Sequence, residues 1–388
     1  MLKKQDRLRQ SIDYCLKEFG SDLEALKSGI SRSGRKVNLT GEKAPLEYMV
    51  FICLVAIKGF GYFGKGEKTM WEIPFTYKSQ PLSFSYEKFG LRLYDRGGEP
   101  ASEGIIEEMI SHLAKAATIA DGIMQPFASA QIRNGNVSLA NRFISLDNRY
   151  FFFRDKAVSA FEKSEETSSG DKGKSPGAKV PFESLNKRMK LQREGSYYTH
   201  AMLDAYFSRL EHLLVVVIPF IGIEFDGKDV VKQISAGWRD KFKRVFNLKE
   251  ERRAKIIYDK LIYLKDRYRN PATHGDFEKG GASLFFHIPG MGAVPATLSE
   301  HRESVHYSFM PINEDSIMKI CKVLDEVDAF FTTEKTKYGF RYAETGLDLA
   351  FDKKSCAEYI TATKTDEEFE SFIEGRSAFQ DMYDNMDF

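Results

Sequence analysis

The chain has 388 residues, with 57 Lys or Arg against 56 Asp or Glu, a formal net charge of +1, and 42% hydrophobic residues. That balance is ordinary for a soluble globular protein of about two or three domains. It argues against wholesale disorder, a collagen-like repeat or a disulfide scaffold, and the neutral total removes the simplest case for a nucleic-acid binder, a globally basic chain.

The N-terminal part, residues 1–162, reads as an α+β domain of unassigned role. Residues 5–27 have helical periodicity, with Leu8, Ile12, Cys15 and Leu16 on one face. Pro45 starts an apolar helix over 45–58. Residues 70–94 alternate in the β manner and are broken by Pro74, Pro81 and Gly90, which predicts short strands or hairpins. Ser102 caps a helix over 102–123, whose Glu103, Glu107 and Glu108 suit its positive end. Residues 144–154 return as a strand.

Residues 163–181 follow as a flexible linker. The stretch 163–179, KSEETSSGDKGKSPGAK, has no aromatic and no large aliphatic residue, so it buries too little surface to offset the entropy of ordering. Residues 182–338 are mostly helical. Leu203, Phe207, Leu210, Leu214 and Val217 form one apolar stripe, Ile257, Leu261, Leu264 and Tyr268 a second, and Ile317, Ile320, Leu324, Val327 and Phe331 a third. Residues 238–246 make a short helix. A hairpin of SLFFHI and SVHYSF is expected within 280–309. Such stripes bury against each other, so a helical bundle follows. The fold class expected is therefore mainly α, a C-terminal bundle preceded by an α+β domain. Residues 339–388 form an acidic tail. From 363 onward it holds eight acidic and two basic residues, which predicts partial disorder with a short helix near 369–373.

Cys15, Cys53, Cys321 and Cys356 include no CxxC pair, which fits neither a disulfide framework nor a zinc site. A reducing, cytoplasmic setting is the natural expectation. The first residues lack the apolar core of a signal peptide. The longest apolar runs, 49–57 and 213–223, fall short of the roughly 20 residues that span a bilayer, so no membrane partner is expected.

The most informative segment is Lys265-Asp266-Arg267-Tyr268-Arg269-Asn270-Pro271-Ala272-Thr273-His274-Gly275. Pro271 cannot continue a helix and pushes Asn270 out of the α region, and Asn270 is itself a good N-cap. On an unbroken helix, residues five apart point about 140° apart. A kink at Pro271 would bring Arg269 and His274 into one site. Histidine exchanges protons near neutral pH, and arginine holds phosphate oxygens in a planar fork. Asn270 adds an orienting amide. This set cleaves RNA without a metal or other cofactor: the 2′-hydroxyl attacks, His274 handles a proton, Arg269 stabilises the charge, and a 2′,3′-cyclic phosphate results.

Arg269, Asn270 and His274 resemble the RNxxxH motif of the HEPN superfamily. The long helix around YFSRLEHLL, the WRDKFKRVFN helix and the helix leading into RYRNPATHG resemble its surroundings. The resemblance covers about residues 196–335. It implies a compact helical bundle that dimerises, with two motifs facing each other as one composite ribonuclease site. It also implies a toxin or effector role in anti-phage defence or a toxin–antitoxin system, with RNA as substrate and an antitoxin or regulatory protein as a further partner. A Glu on the earlier long helix joins the Arg and His in some members, and Glu211 stands there; a surface or capping carboxylate is its other reading. Arg267 is the alternative to Arg269. A non-catalytic HEPN module that binds nucleic acid or a protein is the competing function.

Residues 239–269 hold twelve Lys or Arg and five Asp or Glu. Lys265, Arg267, Arg252 and Arg253 are the candidate RNA-binding residues of this stretch, which is otherwise a solvated helix face. The glycine-rich segment 59–66, GFGYFGKG, contains GxGxxG but has Gly66 where a P-loop needs Ser or Thr. It also precedes strands instead of following one, so it reads as a turn. His287, His301 and His306 have no metal-ligand spacing. His200 and His212 lie on the long helix and read as packing residues.

Overall fold

The computed structural model describes residues 2–28, 36–39, 45–96, 101–172, 182–223, 227–269, 283–298, 305–306, 312 and 314–388. The protein is mainly helical, with small antiparallel sheets. Its contacts divide it into two units, Met1–Asn134 with Glu374–Phe388, and Gly135–Ile373. Among the described residues no helix is long and apolar enough to cross a membrane.

The N-terminal unit comprises α1 (Leu2–Cys15), β1 (Phe19–Ser21), α2 (Leu23–Ser28), β2 (Lys36–Asn38), α3 (Glu47–Phe51, continued as a π turn over Ile52–Ile57), β3 (Thr69–Tyr77), β4 (Gln80–Glu87), β5 (Gly90–Asp95) and α4 (Glu103–Arg133). The sheet is antiparallel in the order β1-β3-β4-β5-β2. Alternation places Trp71, Ile73, Phe75 and Tyr77 with Leu82, Phe84, Leu91 and Leu93 in one core, and Ile12 and Leu16 of α1 and Met109 and Leu113 of α4 complete it. The expected strands run through Pro74 and Pro81 instead of breaking there. β1 ends opposite Phe75, so Pro74 meets no partner on that edge, and Pro81 stands at the start of β4. Residues 5–27 are not one helix, because a strand at Phe19–Ser21 divides α1 from α2. Gly20 fits there because a Cβ would come within 2.6 Å of Thr76 Oγ1. Ser102 caps α4 as expected, accepting from the Ile105 N–H.

The C-terminal unit comprises β6 (Ser138–Leu139), α5 (Phe143–Lys172), α6 (Phe182–Val216), α7 (Gly227–Ser235), α8 (Trp238–Val245), α9 (Arg252–Leu264), β7 (Ser283–Ile288), β8 (Gly292–Leu298), β9 (Val305–His306), α10 (Glu314–Phe331), α11 (Lys337–Thr345), β10 (Leu349–Ala350) and α12 (Lys353–Ala362). Helix α13 (Asp366–Asn385) starts in this unit and its last residues belong to the other.

Further expectations are corrected in this unit. Residues 144–154 are helical: Phe143, Tyr150 and Ala157 recur every seven residues and are buried, so helical spacing overrides the β preference of the aromatic run. The linker expected over 163–181 is helical through Lys172, and the unit boundary falls at Asn134 instead of residue 162. Phe161 and Ser164 are buried near the end of α5, and a Cβ at Gly195 of α6 would lie 2.8 Å from the Phe161 ring. Residues 173–181 lie outside the described residues. The acidic tail forms α11, α12 and α13, because Phe340, Tyr342, Tyr359 and Phe369 within it are core residues. The partner of SLFFHI is β8, since the turn at Gly290 and Gly292, both with positive φ, returns the chain at once.

A buried charge network ties α5, α6 and α10. Arg209 is 4% exposed. Its Nη1 donates to Asp328 Oδ1 at 2.7 Å, and the Tyr206 hydroxyl donates to the same oxygen at 2.8 Å. Its Nε lies 2.6 Å from Asp147 Oδ1, though not aligned for a hydrogen bond. The guanidinium sits 4.8 Å from the centre of the Phe143 ring. Burial pushes the Asp328 carboxyl up, against the pull of Arg209. Asp328→Ala strands a buried cation and is expected to cost about 3 kcal/mol, read as a lowered urea midpoint.

Candidate nucleic-acid interface

Helix α9 forms because Ala254, Ile257, Tyr258, Leu261 and Leu264 share a buried face. After Leu264 the chain passes into a π turn, Lys265–Arg269. The i→i+5 bonding of such a turn leads straight to Asn270. Asn270, Pro271 and His274 lie outside the described residues, and so does the expected kink; the departure from α geometry begins already at Lys265.

Arg269 is held by α6. Its Nε donates to Asp204 Oδ1 at 2.6 Å, and its guanidinium carbon lies 5.3 Å from the Phe207 ring centre. One turn away, Arg239 Nη2 of α8 pairs with Asp266 at 3.2 Å. Lys265 is half-buried, with its ammonium 5.9 Å from the Trp238 ring centre. Burial pushes the Lys265 amine down, and the charges of Arg269 and Arg239 push it further. Arg267 is half-buried on the same turn.

Glu211 has a different task. Its Oε1 accepts the Trp238 N–H at 3.3 Å, at the start of α8, and its Oε2 lies 3.8 Å from the buried Lys241 ammonium. It therefore satisfies the N-terminal end of α8 and an interior cation, and Asp204 receives Arg269 in its place. Asp204 and Glu211 are seven residues apart on α6, two turns along one face, or about 10 Å at 1.5 Å per residue. Asp204 belongs to no motif in the sequence, and its one signal there is this spacing from Glu211.

The candidate RNA-binding residues divide. Lys265, Arg267 and Arg269 share one turn, joined by Arg239. Arg252 and Arg253 are exposed at the far end of α9, seventeen and sixteen residues before Arg269, a separation of about 25 Å along a helix. His212 faces elsewhere: its Nε2 accepts the Arg142 N–H at 3.2 Å. Burial, helped by Lys241 and Arg142, pushes its imidazole down to about 4, which keeps it neutral and fits a packing role. His200 is half-buried one turn before Asp204. His287 is exposed on β7, His306 is in β9, and His301 lies outside the described residues. Among the described residues no group of His, Cys, Asp and Glu has the arrangement of a metal site.

No family model, curated protein or solved structure matches the chain.

Three outcomes follow from these contacts. Glu211→Gln removes the counter-charge of an interior lysine and is expected to cost about 1–3 kcal/mol. Asp204→Ala, at a more exposed pair, costs under about 1 kcal/mol; chemical unfolding of both variants compares them. For His212, the folded value of about 4 lies below the ordinary 6.5. As pH falls through that window the unfolded chain takes up a proton that the folded chain refuses, so stability is lost on acidification. His212→Asn flattens this loss relative to wild type, in unfolding curves collected across the same pH window.

Proposed function

We propose that the chain is a metal-independent endoribonuclease of HEPN type, acting through Arg269, Asn270 and His274. The observation that carries this reading is the cationic turn at the end of α9. Arg269 is oriented by Asp204 and Phe207 and stands beside Lys265, whose amine is depressed by burial and by neighbouring positive charge. A phosphate would relieve that excess of positive charge. The turn leads directly into Asn270 and His274.

In the proposed reaction the 2′-oxygen attacks the adjacent phosphorus and gives up its proton to one imidazole. The bond from phosphorus to the 5′-oxygen breaks, and that oxygen takes a proton from a second imidazole. A 2′,3′-cyclic phosphate and a 5′-hydroxyl result. Two imidazoles call for a homodimer in which two copies of the motif face each other. Arg269 and Lys265 stabilise charge on the phosphoryl oxygens, and Asn270 orients the attacking group. No cofactor enters. The role is that of a toxin or effector in anti-phage defence or a toxin–antitoxin system, with an antitoxin or regulatory protein as a further partner and the N-terminal unit positioning RNA.

One observation favours a second reading, a non-catalytic HEPN module that binds nucleic acid or a protein: Asp204 already engages Arg269. The two are separated by incubating RNA with the chain in EDTA. The ribonuclease reading expects cyclic-phosphate ends, with rates reduced about 100-fold or more in Arg269→Ala and His274→Ala. Light scattering at the same concentrations should report a dimer. Cleavage retained in both variants overturns the assignment, and RNA retention without product supports the binding module.

A further inference from the structure

Three lysines of the N-terminal unit converge on one short peptide. Lys65 lies in the glycine-rich segment 59–66, Lys68 at the entry to β3 and Lys88 in the turn between β4 and β5. The peptide is residues 383–388, Tyr-Asp-Asn-Met-Asp-Phe. We propose that this platform is a docking site for an acidic, aromatic peptide, and that residues 383–388 are its resident, displaceable ligand. The proposal is independent of the ribonuclease reading.

The contacts are of two kinds. Backbone recognition is sequence-neutral: the Lys68 N–H donates to the Met386 carbonyl at 2.8 Å, and Lys68 Nζ donates to the Asn385 carbonyl at 3.3 Å. Side-chain recognition selects the sequence. The Lys65 ammonium lies 3.8 Å from the Tyr383 ring centre and 4.4 Å from that of Phe388, two rings that meet edge-to-face. Lys88 donates to the Asn385 side-chain oxygen at 2.6 Å, and Lys68 pairs with Asp387. A peptide with an aromatic, an Asn, an Asp and a second aromatic at these spacings satisfies all three lysines at once.

The same geometry makes the peptide exchangeable. Lys68 and Asp387 are each about half exposed, at 48% and 55%, so water and salt reach the pair. Met386 is the one large side chain of the six that is buried. Exposed ion pairs and cation–π contacts are individually weak. Residues Tyr383–Asn385 are the end of α13, so the helix itself adds to these contacts in keeping the segment on the lysines. A free peptide of the same sequence therefore competes only at concentrations on the order of millimolar or higher.

The test is hydrogen–deuterium exchange on the full chain, read at the Met386 and Asp387 amides, which are bonded to the Tyr383 and Met382 carbonyls. An isotope-labelled peptide of residues 379–388 is added, so that the two copies differ in mass. Saturating peptide is expected to speed exchange at these amides about tenfold while leaving the β3 amides unchanged, tenfold being the occupancy shift that a ligand in comparable excess produces. The same peptide carrying Tyr383→Ala should not compete, and Lys65→Glu with Lys68→Glu should release the segment without any peptide. Exchange unmoved by peptide in the wild-type chain overturns the proposal, and so does displacement by a scrambled peptide of equal charge. The peptide arms use the unaltered protein, so they remain decisive if the lysine variant does not fold.

Discussion

The C-terminal unit is organised around one buried guanidinium. Arg209 sits among Phe143, Tyr150 and Tyr206 and is balanced by Asp328 and Asp147. An arginine this deep is tolerated only with carboxylates brought to it from other elements. Asp147 comes from α5 and Asp328 from α10, so meeting the charge requirement fixes where those helices lie against α6. The apolar stripes supply most of the burial, but they would permit the helices to slide. The ionic contacts pin their register.

Helix α6 repeats this device along a second face. Asp204 orients Arg269, and Glu211 serves Trp238 and Lys241. The basic elements α8 and α9 are thus attached to α6 through acidic side chains two turns apart. A cluster of cations would otherwise repel itself. The carboxylates lower that repulsion without cancelling it: after burial, Arg269 and Arg239 still push the Lys265 amine down. The Lys241 amine is pushed down by burial alone, against the pull of Glu211.

What was legible in the sequence was periodic. The stripes on α6, α9 and α10 follow from 3.6-residue spacing, and the chemistry of Ser102 suffices to make it a cap. What was not legible depended on partners distant in the chain. Phe151, Phe152 and Phe153 carry strand preference locally, and only packing of Tyr150 and Ala157 against α6 makes them helical. The charged run after Phe161 offers no apolar signal, yet it continues a helix already nucleated. The excess of acidic residues near Phe369 disguised a core aromatic. Asp204 carries no mark of the arginine that reaches it from 65 positions away. Resemblance sets Glu211 beside Arg269, whereas its contacts are with Trp238 and Lys241 of α8.

The π turn at Lys265–Arg269 separates two registers on one helix. A π turn holds one residue more than an α turn, and each helical residue advances about 100°. The side chains after Leu264 are thereby offset from the face set by Ile257, Leu261 and Leu264, and Tyr268, which an unbroken stripe would bury, is only half-buried. Geometrically the turn is equivalent to one residue added to an α-helix. Adding or removing one residue at that point would re-aim Arg269 while leaving the buried stripe of α9 untouched. The chain can therefore vary the aim of its cationic turn and the packing of its core as separate characters.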